Sequence, residues 1–225
     1  QGMKKWGIIV WGKRKVHIVT QRKLILKMEV AMDVDLRNQL KQANKFMKRT
    51  STGGFGVIDL EKLYEEKQAF GFFANQLTYP DKSTYHPSVL EESLDSSHPA
   101  YADVLKYWDL MHEFSFDEIQ EMYTYTFDFQ KETTLFMTYV KYEDAKDRGQ
   151  MLAKLKVLYE MFGLNMPAGE LSDFLPLMCE FVYAAEWICD DRAPPCYGML
   201  YALMESGSYI LFKYMRKRNC PFFHL

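Results

Sequence analysis

Residues 123–187 decide the fold of this chain, and they read YTYTFDFQKETTLFMTYVKYEDAKDRGQMLAKLKVLYEMFGLNMPAGELSDFLPLMCEFVYAAEW. Apolar residues recur there at spacings of three and four, which is the period of an amphipathic α-helix. Acidic residues stand beside aromatic ones through much of the stretch. The pattern predicts a series of packed helices whose surface suits a basic, apolar peptide.

The middle of this stretch predicts its longest helix, beginning near Asp144 and ending at Gly163, because glycine tolerates the left-handed conformation of a C-terminal cap. Its buried side would hold Met151, Leu155, Leu158 and Phe162. The following helix is expected to start near Ser172, since Pro176 then falls in the first turn, where proline is tolerated.

Start signals also precede the stretch. Asp59 is placed to cap a helix that runs to Tyr79-Pro80-Asp81, and Pro87 and Pro99 suit first helical turns. Ser115 and Glu118 form the spacing of a capping box. The sequence from residue 57 onward therefore predicts helix after helix.

After residue 187, Pro194-Pro195 is expected to break the chain. Two helices are then predicted, Gly198–Met204 and Tyr209–Met215, separated by Ser206-Gly207-Ser208. The apolar ending at residues 221–225 suggests that a further helix follows. We expect an all-α, single-domain helical bundle.

Two regions are predicted from the charge distribution. Residues 1–50 hold 13 basic and 3 acidic side chains, whereas residues 51–225 hold 15 basic and 27 acidic ones. Residues 1–56 are therefore interpreted as a basic extension with a helix at Asp35–Lys48 and a linker at Lys48–Gly56, and residues 57–225 as the helical domain. The stretches WGIIVW and VHIVT in the extension fit short strands or disorder equally.

The acidic domain argues against a role in binding nucleic acid, because phosphates repel carboxylates. The four cysteines form no CxxC pair, the histidines are scattered, and no zinc motif is apparent. No uncharged run reaches the roughly 18 residues of a membrane span, and the first residues lack a signal cleavage site. We expect a cytoplasmic protein that is not membrane-integral, with no metal site.

Several short motifs, in their order and spacing, carry a family resemblance. They are Leu77-Thr78-Tyr79-Pro80-Asp81, Tyr125-Thr126-Phe127-Asp128, Thr133-Thr134-Leu135, Asp147-Arg148-Gly149-Gln150 and Glu170-Leu171-Ser172-Asp173-Phe174-Leu175-Pro176-Leu177. From about Leu60 onward the chain resembles the NarJ-type maturation chaperones of respiratory nitrate reductase, relatives of TorD and DmsD.

The resemblance implies an all-helical bundle without catalytic activity. It implies binding to the N-terminus and immature body of the nitrate reductase catalytic subunit, and assistance with molybdenum cofactor insertion before membrane docking. No cofactor would be held stably, because the client receives the molybdopterin guanine dinucleotide. Molybdenum cofactor biosynthesis proteins are implied as further partners, whereas the finished enzyme would not contain this chain.

The chain departs from the family at two places. Phe174 stands where many members have histidine, so a titratable role there is in doubt. The basic extension has no counterpart, since family chains begin close to residue 57.

Candidate partner-binding residues combine aromatic and acidic side chains near the ends of the opening stretch. Glu170 and Asp173 would lie on one side of a helix start, with capping as the alternative for both acids. Phe181 and Tyr139 fit a core as well as a groove. The full predicted set is Tyr125, Phe127, Asp128, Tyr139, Asp147, Glu170, Asp173, Pro176 and Phe181.

Arg148 and Gly149 favour an architectural role instead. Arg148 lies four residues beyond Asp144, a spacing that suits a helical ion pair, and Gly149 would permit a close helix approach.

Two other function classes are weighed against a chaperone. A nucleotide-dependent enzyme would need a P-loop or a nucleophile–base pair, and neither motif is present. A nucleic-acid regulator would have to act through the basic extension alone. The charge split also suggests that the helix at Asp35–Lys48 folds back onto the acidic domain and imitates the client.

Overall fold

The computed structural model describes residues 58–139, 141–142, 144–166, 169–217 and 220–225, together with the backbone of two short strands. These strands are β1 (Val10–Trp11) and β2 (Arg14–Lys15), which pair antiparallel. The predicted helix at Asp35–Lys48 and the linker at Lys48–Gly56 lie outside the described residues.

Helices form the regular structure of the described domain, as predicted for an all-α fold. They are α1 (Leu60–Glu65), α2 (Lys67–Gln76), α3 (Pro87–Ser93), α4 (Tyr101–Met111), α5 (Phe116–Tyr123), α6 (Ala145–Met161), α7 (Leu175–Ala184) and α8 (Ala193–Lys217). A π-helical turn at Thr124–Asp128 extends α5, and 3₁₀ turns lie at Lys131–Thr133 and Pro221–His224.

The helix starts predicted from local signals are confirmed. The Asp59 side chain accepts from the Lys62 N–H at 3.0 Å, and Ser115 with Glu118 closes a reciprocal capping box. Asp144 accepts from the first N–H groups of α6, and Gly163 ends that helix with a φ of 86°. Each of these signals involves residues only a few positions apart, so it can be recognised from the sequence alone.

Three helix boundaries differ from the prediction. The first helix is divided at Glu66 into α1 and α2, and Pro99 lies in the turn before α4 rather than inside it. The third, α7, begins at Leu175 and not near Ser172. The Leu175 N–H donates to the Leu135 carbonyl at 2.8 Å, and Phe174 before it is extended and paired with Phe136, so the helix cannot begin earlier.

The predicted break between two C-terminal helices is wrong, because α8 runs unbroken for 25 residues. Pro194 and Pro195 fall at its start, where their missing N–H groups cost nothing. Gly207 is a contact site: an added Cβ would lie 3.1 Å from Met137 Cβ and 3.2 Å from Met137 Cα. The glycine thus admits a neighbouring segment to the helix surface.

The core is rich in aromatic rings. Helix α2 lies along α7, where the absence of a side chain at Gly71 admits the Tyr183 ring. The Phe181 ring stacks on Tyr197 with centroids 5.5 Å apart, and Trp187 follows at 4.5 Å from Tyr197. These contacts join α7 to α8 and to the loop between them.

The apolar ending at residues 221–225 packs against this core. Phe222 is 1% exposed, and its ring lies 5.0 Å from Phe127 and 5.9 Å from Tyr107. Phe222 thus belongs to the core of the described domain, and the further helix suggested by the apolar ending stays a prediction.

We expect Gly207→Ala to lower the free energy of unfolding by about 1–3 kcal/mol, because the new methyl group would overlap Met137. Gly198→Ala is the matched control, since it lies in the same helix and an added Cβ there meets nothing within 4 Å. That control should gain up to about 1 kcal/mol from helix propensity. Urea unfolding measures both; equal stabilisation by the two alanines would contradict this role of Gly207.

Candidate functional site

The π-helical turn after α5 brings aromatic side chains to the surface. The Phe129 N–H donates to the Thr124 carbonyl at 3.2 Å, five residues back, which is the bonding pattern of a π-helix. Phe129 is 76% exposed and Tyr125 is 61% exposed. Since they are four residues apart, the two rings lie on the same side of the chain.

Inward-facing residues fix this turn on the core. Phe127 is buried, with its ring 4.9 Å from Tyr123 and 5.0 Å from Phe222. The Thr133 hydroxyl donates to the Thr126 carbonyl, which ties the following 3₁₀ turn to the π-helical turn. The two exposed rings are therefore presented by an anchored backbone.

Carboxylates accompany the exposed rings. Glu121 lies four residues before Tyr125, Asp128 is next to Phe129, and both acids are exposed. Exposed rings beside negative charge favour an apolar ligand that carries positive charge. We call these four residues, Glu121, Tyr125, Asp128 and Phe129, the acidic–aromatic surface.

A second group of predicted residues is organised by Asp173, which is fully buried. Its Oδ2 accepts from the Thr138 N–H at 3.0 Å and from the Thr138 hydroxyl. Arg148 Nη2 lies 3.6 Å from the same oxygen, and Arg148 Nε donates to Thr138 Oγ1 at 3.0 Å. The carboxylate therefore joins the segment before α6, α6 itself and the entry to α7.

Backbone pairing reinforces that junction. Phe136 and Phe174 form an antiparallel bridge, and the Met137 N–H donates to the Asp173 carbonyl at 2.9 Å. The Phe136 and Phe174 rings lie 5.3 Å apart. An aromatic contact thus accompanies the backbone pairing at Phe174.

Helix α6 closes the junction from the other side. The Tyr159 hydroxyl donates to the Ser172 carbonyl at 2.7 Å, and the Ser172 hydroxyl donates to the Leu152 carbonyl at 2.7 Å. Burial and then the nearby Asp173 charge raise the pKa of Tyr159. The phenol therefore stays protonated and keeps its donor role.

Tyr139 follows Thr138 at the edge of this junction, and 44% of its surface is exposed to solvent. The Arg148 guanidinium lies 5.3 Å from its ring centroid and the Lys131 ammonium 5.9 Å. Cations beside an aromatic face hold the ring in place.

The structure separates the nine predicted partner-binding residues by exposure. Phe127, Asp173, Pro176 and Phe181 are buried, Glu170 is half-buried, and Tyr125, Asp128, Tyr139 and Asp147 are exposed. The four buried side chains pack within the fold and do not reach a rim. Contact between a partner and the exposed residues stays a prediction.

The capping alternative for Asp173 is wrong, because its side chain bonds Thr138, and α7 has no side-chain cap. Arg148 does take an architectural role, with Thr138 and Asp173 as partners in place of the Asp144 expected from spacing. Gly149 permits no close approach, since an added Cβ would meet nothing within 4 Å.

Phe129 is a surface residue that the sequence reasoning missed. Its signal was present in the spacing, because Phe129 follows Tyr125 by one helical turn and borders Asp128.

One connecting segment, residues 131–139, links the acidic–aromatic surface to the Asp173 junction through Thr133 and Thr138.

The described residues contain no group of three or more His, Cys, Asp or Glu side chains placed to hold a metal ion. Among the same residues, no helix has both the length and the apolar character needed to cross a bilayer.

We expect Asp173→Asn to lower the free energy of unfolding by about 1–3 kcal/mol. The amide can keep an acceptor toward Thr138, but its NH2 group then takes the place of Oδ1, which has no hydrogen-bond partner among the described residues. Arg148 also loses its opposite charge. Asp147→Asn, at an exposed position of α6, should change stability by less than about 0.5 kcal/mol. Denaturant unfolding tests both, and equal stability of the two variants would contradict the junction.

Comparison with known proteins gives one informative similarity. Over 83 residues the chain is 40% identical to the "probable nitrate reductase molybdenum cofactor assembly chaperone NarJ" of Bacillus subtilis (strain 168). The aligned part covers 37% of this chain and 45% of that protein, so the chain matches less than half the length of its relative. No family model matches the chain. The chain is thus similar, over part of its length, to a protein named as a NarJ assembly chaperone.

Proposed function

We propose that this protein is a dedicated chaperone for the catalytic subunit of a nitrate reductase. It acts by binding and not by catalysis. The observation that carries the proposal is the 40% identity to a protein named as a nitrate reductase molybdenum cofactor assembly chaperone. The all-helical architecture agrees with the fold that the family resemblance implies.

In this proposal the chaperone binds the N-terminal peptide and the immature body of the catalytic subunit in the cytoplasm. It delays membrane docking until the molybdopterin guanine dinucleotide is inserted, and it then leaves. The cofactor enters the client and is not held stably by the chaperone.

The acidic–aromatic surface is the proposed contact for the client peptide. Tyr125 and Phe129 offer two exposed rings on an anchored turn, while Glu121 and Asp128 supply exposed negative charge. An amphipathic peptide with basic residues on one face would place its apolar face on the rings and its cations near the carboxylates.

Tyr139, Asp147 and Glu170 form a second proposed contact for the immature body of the client. Tyr139 and Asp147 are exposed, and Glu170 is half-buried. In sequence they adjoin members of the Asp173 junction, since Tyr139 follows Thr138, Asp147 precedes Arg148 and Glu170 lies three residues before Asp173. The buried network of that junction keeps Tyr139 and Arg148 in fixed relation.

We expect a peptide with the N-terminal sequence of the catalytic subunit to bind the full chain in titration calorimetry. Affinity should fall as salt rises, because screening weakens the contacts between opposite charges. Phe129→Ser should weaken binding roughly tenfold, as expected for an aromatic anchor, and Asp128→Lys should flatten the salt dependence.

Ile188→Ser is the matched control, since Ile188 is 43% exposed in the loop after α7. It should leave peptide affinity unchanged. Pull-down of the whole catalytic subunit, with and without its first residues, separates peptide binding from binding to the body. No heat and no capture in either form would contradict the proposed function.

A further inference from the structure

Helix α8 carries an exposed row of side chains that the proposed function does not use. Tyr201, Glu205, Tyr209, Lys213 and Lys217 follow one another at intervals of four, and all five are exposed. Tyr209 is 71% exposed and Tyr201 is 45% exposed. Residues four apart form one ridge along the surface of a helix, so Glu205, Tyr209 and Lys213 lie next to one another at the centre of the row.

The opposite side of α8 is occupied by the core. Its buried residues include Leu200, Leu203, Met204, Gly207, Leu211 and Met215. The helix is therefore seated on the domain by one face, and the other face shows two tyrosines in the row, with Phe212, 41% exposed, on its flank. An exposed aromatic helix face of this kind is typical of an interaction surface.

The chemistry of the row is complementary to itself. Glu205 precedes Tyr209 by four residues and Lys213 follows it by four. Reversing the direction of the row about Tyr209 thus matches an acid with a base at the positions one turn away.

Two copies of such a row fit a known packing class. When helices cross at about −50°, the ridges formed by residues four apart lie parallel and fit into each other's grooves. An antiparallel pair with its two-fold axis beside Tyr209 lets the two Tyr209 rings pack side by side, with each row in the groove next to the other. It places Glu205 beside Lys213 of the second copy.

Among the residues that the structure describes, neither Glu205 nor Lys213, the two charges that this pairing needs, takes part in an ion pair. The nearby Lys141 instead donates to the Ser206 hydroxyl at 3.0 Å, beside the row.

We propose that the centre of the row, Glu205, Tyr209 and Lys213, is a self-complementary surface through which two copies of this chain associate. The interface is isologous, with α8 antiparallel to α8 and Tyr209 beside the two-fold axis. This proposal does not depend on the identity of any client.

Sedimentation of the full chain over a concentration series tests the association, starting from the 26.6 kDa monomer mass. The weight-average mass should rise toward twice that value. Glu205→Lys and Lys213→Glu should each raise the dissociation constant at least roughly tenfold, because each turns attractive pairs into repulsive ones. The double variant Glu205→Lys with Lys213→Glu should restore association.

Glu91→Lys is the matched control, since it makes the same charge change at an exposed position of α3. It should leave the dissociation constant unchanged. A chain that stays monomeric at every concentration would overturn the proposal, as would failure of the double variant to recover.

Cross-linking tests the position of the two-fold axis. In a Cys189→Ser background, which removes the exposed thiol, Tyr209→Cys should form a disulfide-linked dimer under mild oxidation. Tyr201→Cys should not, because two copies of residue 201 would lie about 24 Å apart along the helices, beyond the reach of a disulfide. Equal cross-linking at both positions, or at residue 201 alone, would overturn the antiparallel register.

Discussion

The buried Asp173 carboxylate is the contact on which the surfaces of this domain depend. Burial of this carboxylate is tolerated because the Thr138 N–H and hydroxyl both donate to it and the Arg148 guanidinium lies close to it. A buried carboxylate without such partners would be costly. Its presence therefore fixes where residues 135–139 run, and with them the start of α7 and the position of α6.

The consequences extend along the chain on both sides of that contact. Met137, next to Thr138, is the residue that fits against Gly207, so α8 is seated by the same segment. Thr133, a few residues earlier, bonds the Thr126 carbonyl and steadies the π-helical turn. The acidic–aromatic surface and the exposed row of α8 are thus presented by one connected scaffold, although their chemistry differs. The acidic–aromatic surface combines aromatic rings with acidic side chains alone. The row on α8 has an acidic side chain on one side of the Tyr209 ring and a basic one on the other.

Local features of this fold could be predicted from the sequence, and non-local ones could not. Asp59 and Ser115 cap helices within a few residues of themselves, so the pattern identified them, and it also placed the start of α6 near Asp144. Gly207 suggested a helix break when only its neighbours in sequence were considered. A glycine is needed there because Met137, which is distant in the chain, packs against the helix at that point. The sequence placed Asp173 at the rim of a binding groove, although it is buried. Its hydrogen-bond donor, Thr138, lies 35 residues earlier, so local spacing could not reveal the contact. Exposure decides which aromatic residues are available to a partner, and exposure depends on such long-range contacts.

Hydrogen–deuterium exchange of the full chain, alone and with the nitrate reductase catalytic subunit, tests the central claim most directly. The claim is that the client is bound at the acidic–aromatic surface. We expect the subunit to slow exchange in residues 121–129, with the Phe129→Ser variant losing that protection. Unchanged exchange in residues 121–129, together with protection elsewhere in the domain, would contradict the account.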